Sequence, residues 1–115
     1  MTSYTNFINY LKAYFDLSSE KAAYMQEALQ VFLDDLSKLQ SPEDLLKAYK
    51  NKELGIISHN PVIKSLLDRF IDTALNPSIP GRVISEQDRR KVYKVFYKIL
   101  SSEMEAFEKE LNRNK

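Results

Sequence analysis

The sequence predicts an all-α fold, specifically a single-domain, mostly antiparallel bundle of four to five helices that spans residues 1–115. Three observations lead to this prediction. Apolar residues recur at helical spacing along most of the chain. Two glycines and four prolines are few for a protein made of strands and turns. Seven tyrosines and six phenylalanines supply large side chains for packing between long helices.

The first two helices are predicted on either side of the stretch "DLSSE". Residues 4 to 16 place their apolar side chains on one side of a helix. Ser18 or Ser19 then caps a second helix, and Glu20 is favourable in its first turn. This helix runs to Gln40 and carries a seam with heptad-like spacing, which predicts lengthwise packing against another helix. The seam consists of Ala22, Met25, Leu29, Phe32, Leu36 and Leu39.

The third and fourth helices are predicted from their capping residues. In "SPED", Ser41 is a cap and Pro42 fits the first helical position of a short helix. This helix should end near "NKELG", where Gly55 suits the left-handed residue that closes a helix. In "HNP", Asn60 and Pro61 begin the fourth helix, which we expect to be the most buried one. Its apolar residues are Ile63, Leu66, Leu67, Phe70, Ile71 and Ala74.

A loop and a long last helix complete the predicted fold. "NPSIPGR" (76–82) is predicted to be a loop, because two prolines and a glycine disfavour helix. Ser85 and Asp88 repeat the capping pattern, and the last helix should run from about Glu86 to about Asn112. Its apolar stripe consists of Tyr93, Phe96, Leu100, Met104, Phe107 and Leu111.

The composition narrows the functional classes. Seventeen basic and sixteen acidic residues give a net charge near +1, which provides no strong overall attraction to nucleic acid or anionic membrane. The absence of cysteine suits a reducing compartment. No apolar stretch approaches the ~20 residues that span a bilayer, and the N-terminus does not read as a secretory signal. We therefore expect a cytoplasmic protein without a transmembrane segment.

No residue pattern indicates catalysis, a metal site or a cofactor site. His59 has no second histidine and no cysteine with which to bind a metal, and it lies at a predicted junction between helices. The carboxylate pairs Asp34–Asp35 and Asp68–Asp72 are expected on solvated faces. Neither a phosphate-binding glycine loop nor a nucleophile elbow occurs. We expect no enzymatic activity, no metal and no cofactor.

The charge pattern of the last helix indicates a candidate partner-binding surface. Its first half is basic and contains two tyrosines, whereas its second half is rich in glutamate, the reverse of what the helix dipole favours. The candidate residues are Arg89, Arg90, Lys91, Tyr93, Lys94, Tyr97 and Lys98. Three explanations stay open: an acidic protein partner, a nucleic-acid backbone, or pairing within the fold, for example with Asp34 and Asp35. Seven tyrosines also exceed what a small core can bury with every hydroxyl satisfied, so some should lie at an interface.

Two families resemble parts of this pattern. The stretch "MQEALQVFLDDLSKLQSPEDLLKAYKNKE", about a quarter of the chain, resembles the amphipathic stretch of phasins, which coat polyester storage granules. In phasins a long apolar-striped helix also leads into a Ser-Pro-Glu-(Asp/Glu)-Leu element, and the resemblance implies a surface-active coat. Separately, the size and antiparallel layout are similar to small helical immunity proteins that protect bacteriocin producers, which implies an antagonist role.

We expect a non-catalytic helical module, such as a regulator, antagonist or immunity-type adaptor, that binds another protein, with self-association as a further option. The alternative is an amphipathic coat on a granule or membrane face, which would use the seam of residues 22 to 39. A third hypothesis, less favoured, is a nucleic-acid binder that uses residues 89–98.

Overall fold

Five α-helices make up most of the described chain. A computed structural model describes residues 2–51, 60–79, 81 and 83–113. The helices are α1 (Thr2–Tyr14), α2 (Ser19–Leu39), α3 (Pro42–Lys50), α4 (Pro61–Phe70) and α5 (Glu86–Arg113). No strand occurs within the described ranges. The prediction of an all-α bundle of four to five helices is confirmed.

The helices begin at the capping residues that the sequence predicted. Ser18, Ser41 and Ser85 each accept a hydrogen bond from the backbone N–H three residues further on, at 3.2, 3.1 and 3.1 Å. Asn60 accepts from two backbone N–H groups in the first turn of α4, at 2.9 and 3.3 Å. Its amide also donates to the Gln40 side chain at 2.9 Å, which ties the start of α4 to the end of α2. Each cap satisfies an N–H group that has no partner within its own helix.

Four phenylalanines meet at the centre of the core, one each from α1, α2, α4 and α5. They are Phe7, Phe32, Phe70 and Phe96. The shortest centroid distances are 5.0 Å between Phe32 and Phe96 and 5.4 Å between Phe7 and Phe96, both edge to face. Such pairs contribute ~0.5–1.5 kcal/mol beyond the burial of their area. Leu45 and Leu46 of α3 join the same cluster of buried residues, so all five helices share one core.

The helices are mostly antiparallel, as predicted. At one end of α1, Tyr4 stacks on Phe96 at 6.1 Å, and at the other end Tyr14 donates to Asp88 at 2.8 Å. Helix α1 therefore runs opposite to α5. Helices α2 and α4 are antiparallel too, because the end of α2 is hydrogen-bonded to the cap of α4. None of the helices in the described ranges combines the length and apolarity needed to cross a bilayer.

The seam of α2 is buried through its middle and open at its end. Its buried residues are Met25, Leu29, Phe32 and Leu36. Leu39, predicted as part of the seam, is 63 % exposed. A strict heptad pattern drifts by ~20° per heptad around a straight α-helix, so the last seam position turns away from the core.

The buried stripe of α5 also differs from its prediction. Val92, Phe96, Leu100 and Met104 are buried, whereas Tyr93 is only half-buried. Leu111 is 39 % exposed. Helix α3 packs beside this part of α5 and ends at Lys50, which pairs with Glu108 at 2.6 Å. The fully buried part of the α5 stripe therefore ends at Met104.

The predicted loop at 76–82 begins later than the sequence indicated. Helix α4 continues as a π-helix (Ile71–Leu75) and then as a 3₁₀ turn (Asn76–Ser78). Pro77 lies in the first positions of the 3₁₀ turn, where its missing N–H removes no helical hydrogen bond. The Asn76 N–H reaches back to the carbonyl of Ile71, five residues earlier. The loop prediction is therefore wrong for residues 76–78. The predictions for Gly55 and His59 lie outside the described residues, and the domain limits 1–115 stay a prediction.

Candidate partner-binding surface

Arg89 is held by one carboxylate of α4, Asp68, and one of the π-helix that continues it, Asp72. Its guanidinium donates to Asp68 at 3.1 Å and to Asp72 at 2.6 Å, and its side chain is only 20 % exposed. The hydrogen bond to Asp72 is the main reason why the pKa of Arg89 is raised. Asp72 is exposed and Asp68 is half-buried, so the pair lies at the surface as expected, but both carboxylates also accept hydrogen bonds from Arg89. Arg89 is used within the fold, and its partners lie on α4 and its π-helical continuation, not at the predicted Asp34 and Asp35.

Tyr93 and Tyr97 occupy the same side of α5 as Arg89. The Tyr93 hydroxyl donates to Asp68. Burial, and then this hydrogen bond, raise the pKa of Tyr93 to about 12. The Tyr97 hydroxyl is buried and has no hydrogen-bond partner among the described residues, and burial raises its pKa to about 12. These two tyrosines contribute to the packing of α5 within the fold.

Lys91 connects α5 to α1. Its ammonium group donates to the Tyr14 hydroxyl at 3.0 Å and lies 5.1 Å from the centroid of the Tyr14 ring. The hydrogen bond to Tyr14 is the first cause of the raised pKa of Lys91. Tyr14 in turn donates to Asp88. Helix α5 is therefore attached to α4 through Arg89 and to α1 through Lys91.

The three remaining candidate residues form what we call the basic stripe: Arg90, Lys94 and Lys98. All three are exposed. Their side chains make no ion pair or hydrogen bond with any residue that the structure describes. They are spaced four residues apart, so they lie on one side of α5 over a length of ~12 Å. The stripe comprises the cations of the predicted surface that have no side-chain partner among the described residues.

A second surface feature was missed by the sequence analysis. A groove of about 330 Å³ lies between α2 and α4. Its α2 wall includes two exposed apolar residues, Tyr24 at 48 % and Val31 at 59 % exposure, with Ala28 between them. Leu66 and Phe70 of α4 also line it. The sequence does contain a signal for this wall. Positions 24, 28, 31 and 35 have the same heptad-like spacing as the seam, and each comes one residue before a buried seam residue.

The groove has charged residues at its rim. Glu27 and Asp35 of α2 and Arg69 of α4 line it. Arg69 and Asp35 approach to 3.9 Å, a long ion pair between partly exposed side chains that contributes little to stability. Within the described ranges, no group of three or more histidine or acidic residues is arranged to hold a metal ion.

No protein-family model, no curated protein and no solved structure matches the chain. The class that the structure itself defines is a small all-α bundle with a basic stripe on its last helix and an apolar groove between α2 and α4. The functions implied by the phasin and immunity-protein resemblances stay predictions, and a functional proposal rests on these two surfaces.

Proposed function

We propose that this protein is a non-catalytic interaction module that binds an acidic protein partner through the basic stripe. One observation carries the proposal: Arg90, Lys94 and Lys98 are exposed and unpaired among the described residues. They project from a helix whose neighbouring side chains, Arg89 and Lys91, are already bound to Asp68 of α4 and Tyr14 of α1.

This arrangement suits recognition of a negatively charged surface. Exposed charges of one sign attract an oppositely charged partner during diffusion and raise the association rate. Because α5 is fixed by contacts on both sides, binding would not require the helix to become ordered first, which reduces the entropic cost of association. The net charge of +1 means that the attraction is local to this stripe.

The two alternative functions, a surface coat and a nucleic-acid binder, would require different properties of the structure. A surface coat would have to expose Met25, Leu29, Phe32 and Leu36, which are buried here, so the bundle would have to open. A nucleic-acid binder would rely on the same cations as a protein partner. Since the stripe offers three cations and the net charge is near zero, we expect no measurable binding to random DNA at physiological salt.

The proposal is tested with the double variant Lys94→Glu/Lys98→Glu. A matched control is Lys47→Glu/Lys64→Glu, which makes the same charge change at exposed lysines of α3 and α4. Tagged forms of all three proteins are used for quantitative affinity capture from cells that naturally produce the protein. We expect an acidic protein that is enriched by the wild type and the control and depleted at least about tenfold by the stripe variant.

Purified components then separate the alternatives. With the captured protein, charge reversal on the stripe should mainly lower the association rate, and added salt should do the same to the wild type. Equal capture by all three forms would contradict the proposal. Salt-sensitive, micromolar binding of the wild type to random duplex DNA would instead support the nucleic-acid hypothesis.

A further inference from the structure

We propose that the groove between α2 and α4 binds an amphipathic helix of another protein, one whose apolar face is flanked by basic residues. This surface is separate from the basic stripe, and its lining has two carboxylates, Glu27 and Asp35, against one cation, Arg69. The two proposals concern different residues, so an experiment that contradicts one of them leaves the other untouched.

The apolar part of the groove has the geometry of a helix-binding site. Tyr24, Ala28 and Val31 are spaced four and three residues apart, the spacing that receives the a and d side chains of a partner helix. Ala28 is small and lies between two larger exposed residues, so a partner backbone can approach closely there. From Tyr24 to Asp35 the groove wall is ~16 Å long, which corresponds to about three turns of a bound helix.

The charged residues beside the apolar wall of the groove indicate what kind of helix would bind there. Glu20, Glu27 and Asp34 recur every seven residues, so they form an acidic row along one side of the apolar stripe. All three are exposed. Among the described residues, the side chains of Glu20 and Glu27 make no ion pair or hydrogen bond, and the Asp34 carboxylate accepts only from Gln30. These carboxylates are therefore available to basic residues that flank the apolar face of a partner helix.

The acidic row argues against a second copy of this chain as the occupant. If two α2 helices paired about Ala28, the row of one copy would face the row of the other, and like charges at such flanking positions are destabilising. The basic stripe of a second copy fits poorly as well, because the residues beside it on α5, such as Gln87, Lys91 and Ser102, are exposed and polar. An anionic membrane surface would also be repelled by the row. A basic amphipathic helix satisfies both the apolar stripe and the acidic row.

The test uses three labelled synthetic peptides of about 18 residues with the full-length protein and fluorescence anisotropy. The first carries leucine at heptad positions a and d and lysine at the flanking positions. The second has glutamate in place of lysine, and the third has the composition of the first in scrambled order. We expect saturable binding of the lysine peptide and at least about tenfold weaker binding of the other two.

Variants of the protein test whether the lysine peptide binds in the groove. Glu27→Lys/Asp34→Lys and Val31→Asp should each weaken binding of the lysine peptide by about tenfold or more. The controls Glu110→Lys and Val83→Asp change exposed residues elsewhere and should have no effect, and circular dichroism verifies that every variant is folded. The stripe variant Lys94→Glu/Lys98→Glu should bind the peptide normally.

Three results would overturn this inference. The first is the absence of saturable binding by the lysine peptide. The second is equal affinity for the lysine and scrambled peptides, or for the wild type and the groove variants. The third is a protein dimer in sedimentation that Val31→Asp dissociates, because the groove would then be occupied by a second copy.

Discussion

Tyr93 and Tyr97 are one turn apart on α5, but only one of their hydroxyls finds a partner on α4. Tyr93 donates to Asp68, which also accepts from Arg89. The Tyr97 hydroxyl is buried and makes no hydrogen bond with the described residues. A buried polar group without a partner costs ~1–3 kcal/mol, whereas a hydrogen bond to a charged group contributes ~1.5–3 kcal/mol. The two tyrosines should therefore respond differently to loss of the hydroxyl.

We predict that Tyr97→Phe leaves the free energy of unfolding unchanged or raises it by up to ~1 kcal/mol, because it removes an unsatisfied buried hydroxyl. Tyr93→Phe should lower it by ~1–2 kcal/mol, since Asp68 loses a donor in a site that is partly open to solvent. Urea denaturation of the two variants measures both values. If Tyr97→Phe is as destabilising as Tyr93→Phe, the Tyr97 hydroxyl has a partner in solution.

The charges of α5 show what could and could not be predicted at the scale of single residues. The concentration of cations in residues 89–98 was visible in the sequence. Which of them the fold would neutralise was not, because Arg89 meets Asp68 and Asp72 only after α4 docks against α5. Those partners are 21 and 17 residues away in sequence, well beyond the reach of helical periodicity. The sequence therefore predicted a surface of seven residues, and docking leaves three of its five cations without a partner among the described residues.

At the scale of elements, helix starts were predictable because capping is local. Each cap bonds an N–H group within three residues, so the pattern in the sequence already contains the interaction. The helical extension after α4 was not predictable in the same way. Pro77 disfavours an α-helix, but the π-helix of Ile71–Leu75 and the 3₁₀ turn that follows accommodate it. Pro77 indicated that the α-helix ends near this position. That the chain continues as a π-helix and a 3₁₀ turn depends on its packing in the fold.

Among the caps, Asn60 should contribute the most stability. It bonds two backbone N–H groups of α4 and also donates to Gln40, so it links two helices. We predict that Asn60→Ala lowers the free energy of unfolding by ~1–2 kcal/mol, and that Ser18→Ala, which loses one exposed capping bond, lowers it by ~0.5–1 kcal/mol. Thermal unfolding compares the two. A loss for Ser18→Ala equal to or larger than that for Asn60→Ala would contradict this ranking.

At the scale of the whole molecule, α2 shows that apolar periodicity predicts a packing face but not which face the other helices cover. The core seam was recognised because its residues are apolar and regularly spaced, and its middle is buried. The adjacent stripe of Tyr24, Ala28 and Val31 has the same spacing but stays at the surface. The regular spacing predicts that α2 has apolar faces, and the arrangement of the other helices determines which of these faces is buried. The sequence therefore contains the apolar spacing of Tyr24, Ala28 and Val31, but that these residues line an open groove beside α4 is visible only in the fold.

Lys94 and Lys98 have no side-chain partner among the described residues, so we expect that they contribute little to the stability of the fold and can bind another protein. The most direct test is the free energy of unfolding, measured by denaturant titration, of Lys94→Glu/Lys98→Glu beside Arg89→Met. We predict a change within ~0.5 kcal/mol for the double variant, as for the control Lys47→Glu/Lys64→Glu. Arg89→Met should lose ~1–2 kcal/mol, a value reduced by the partial exposure of its carboxylate partners. A loss for Lys94→Glu/Lys98→Glu as large as that for Arg89→Met would contradict the claim, because the stripe would then be stabilising the fold itself.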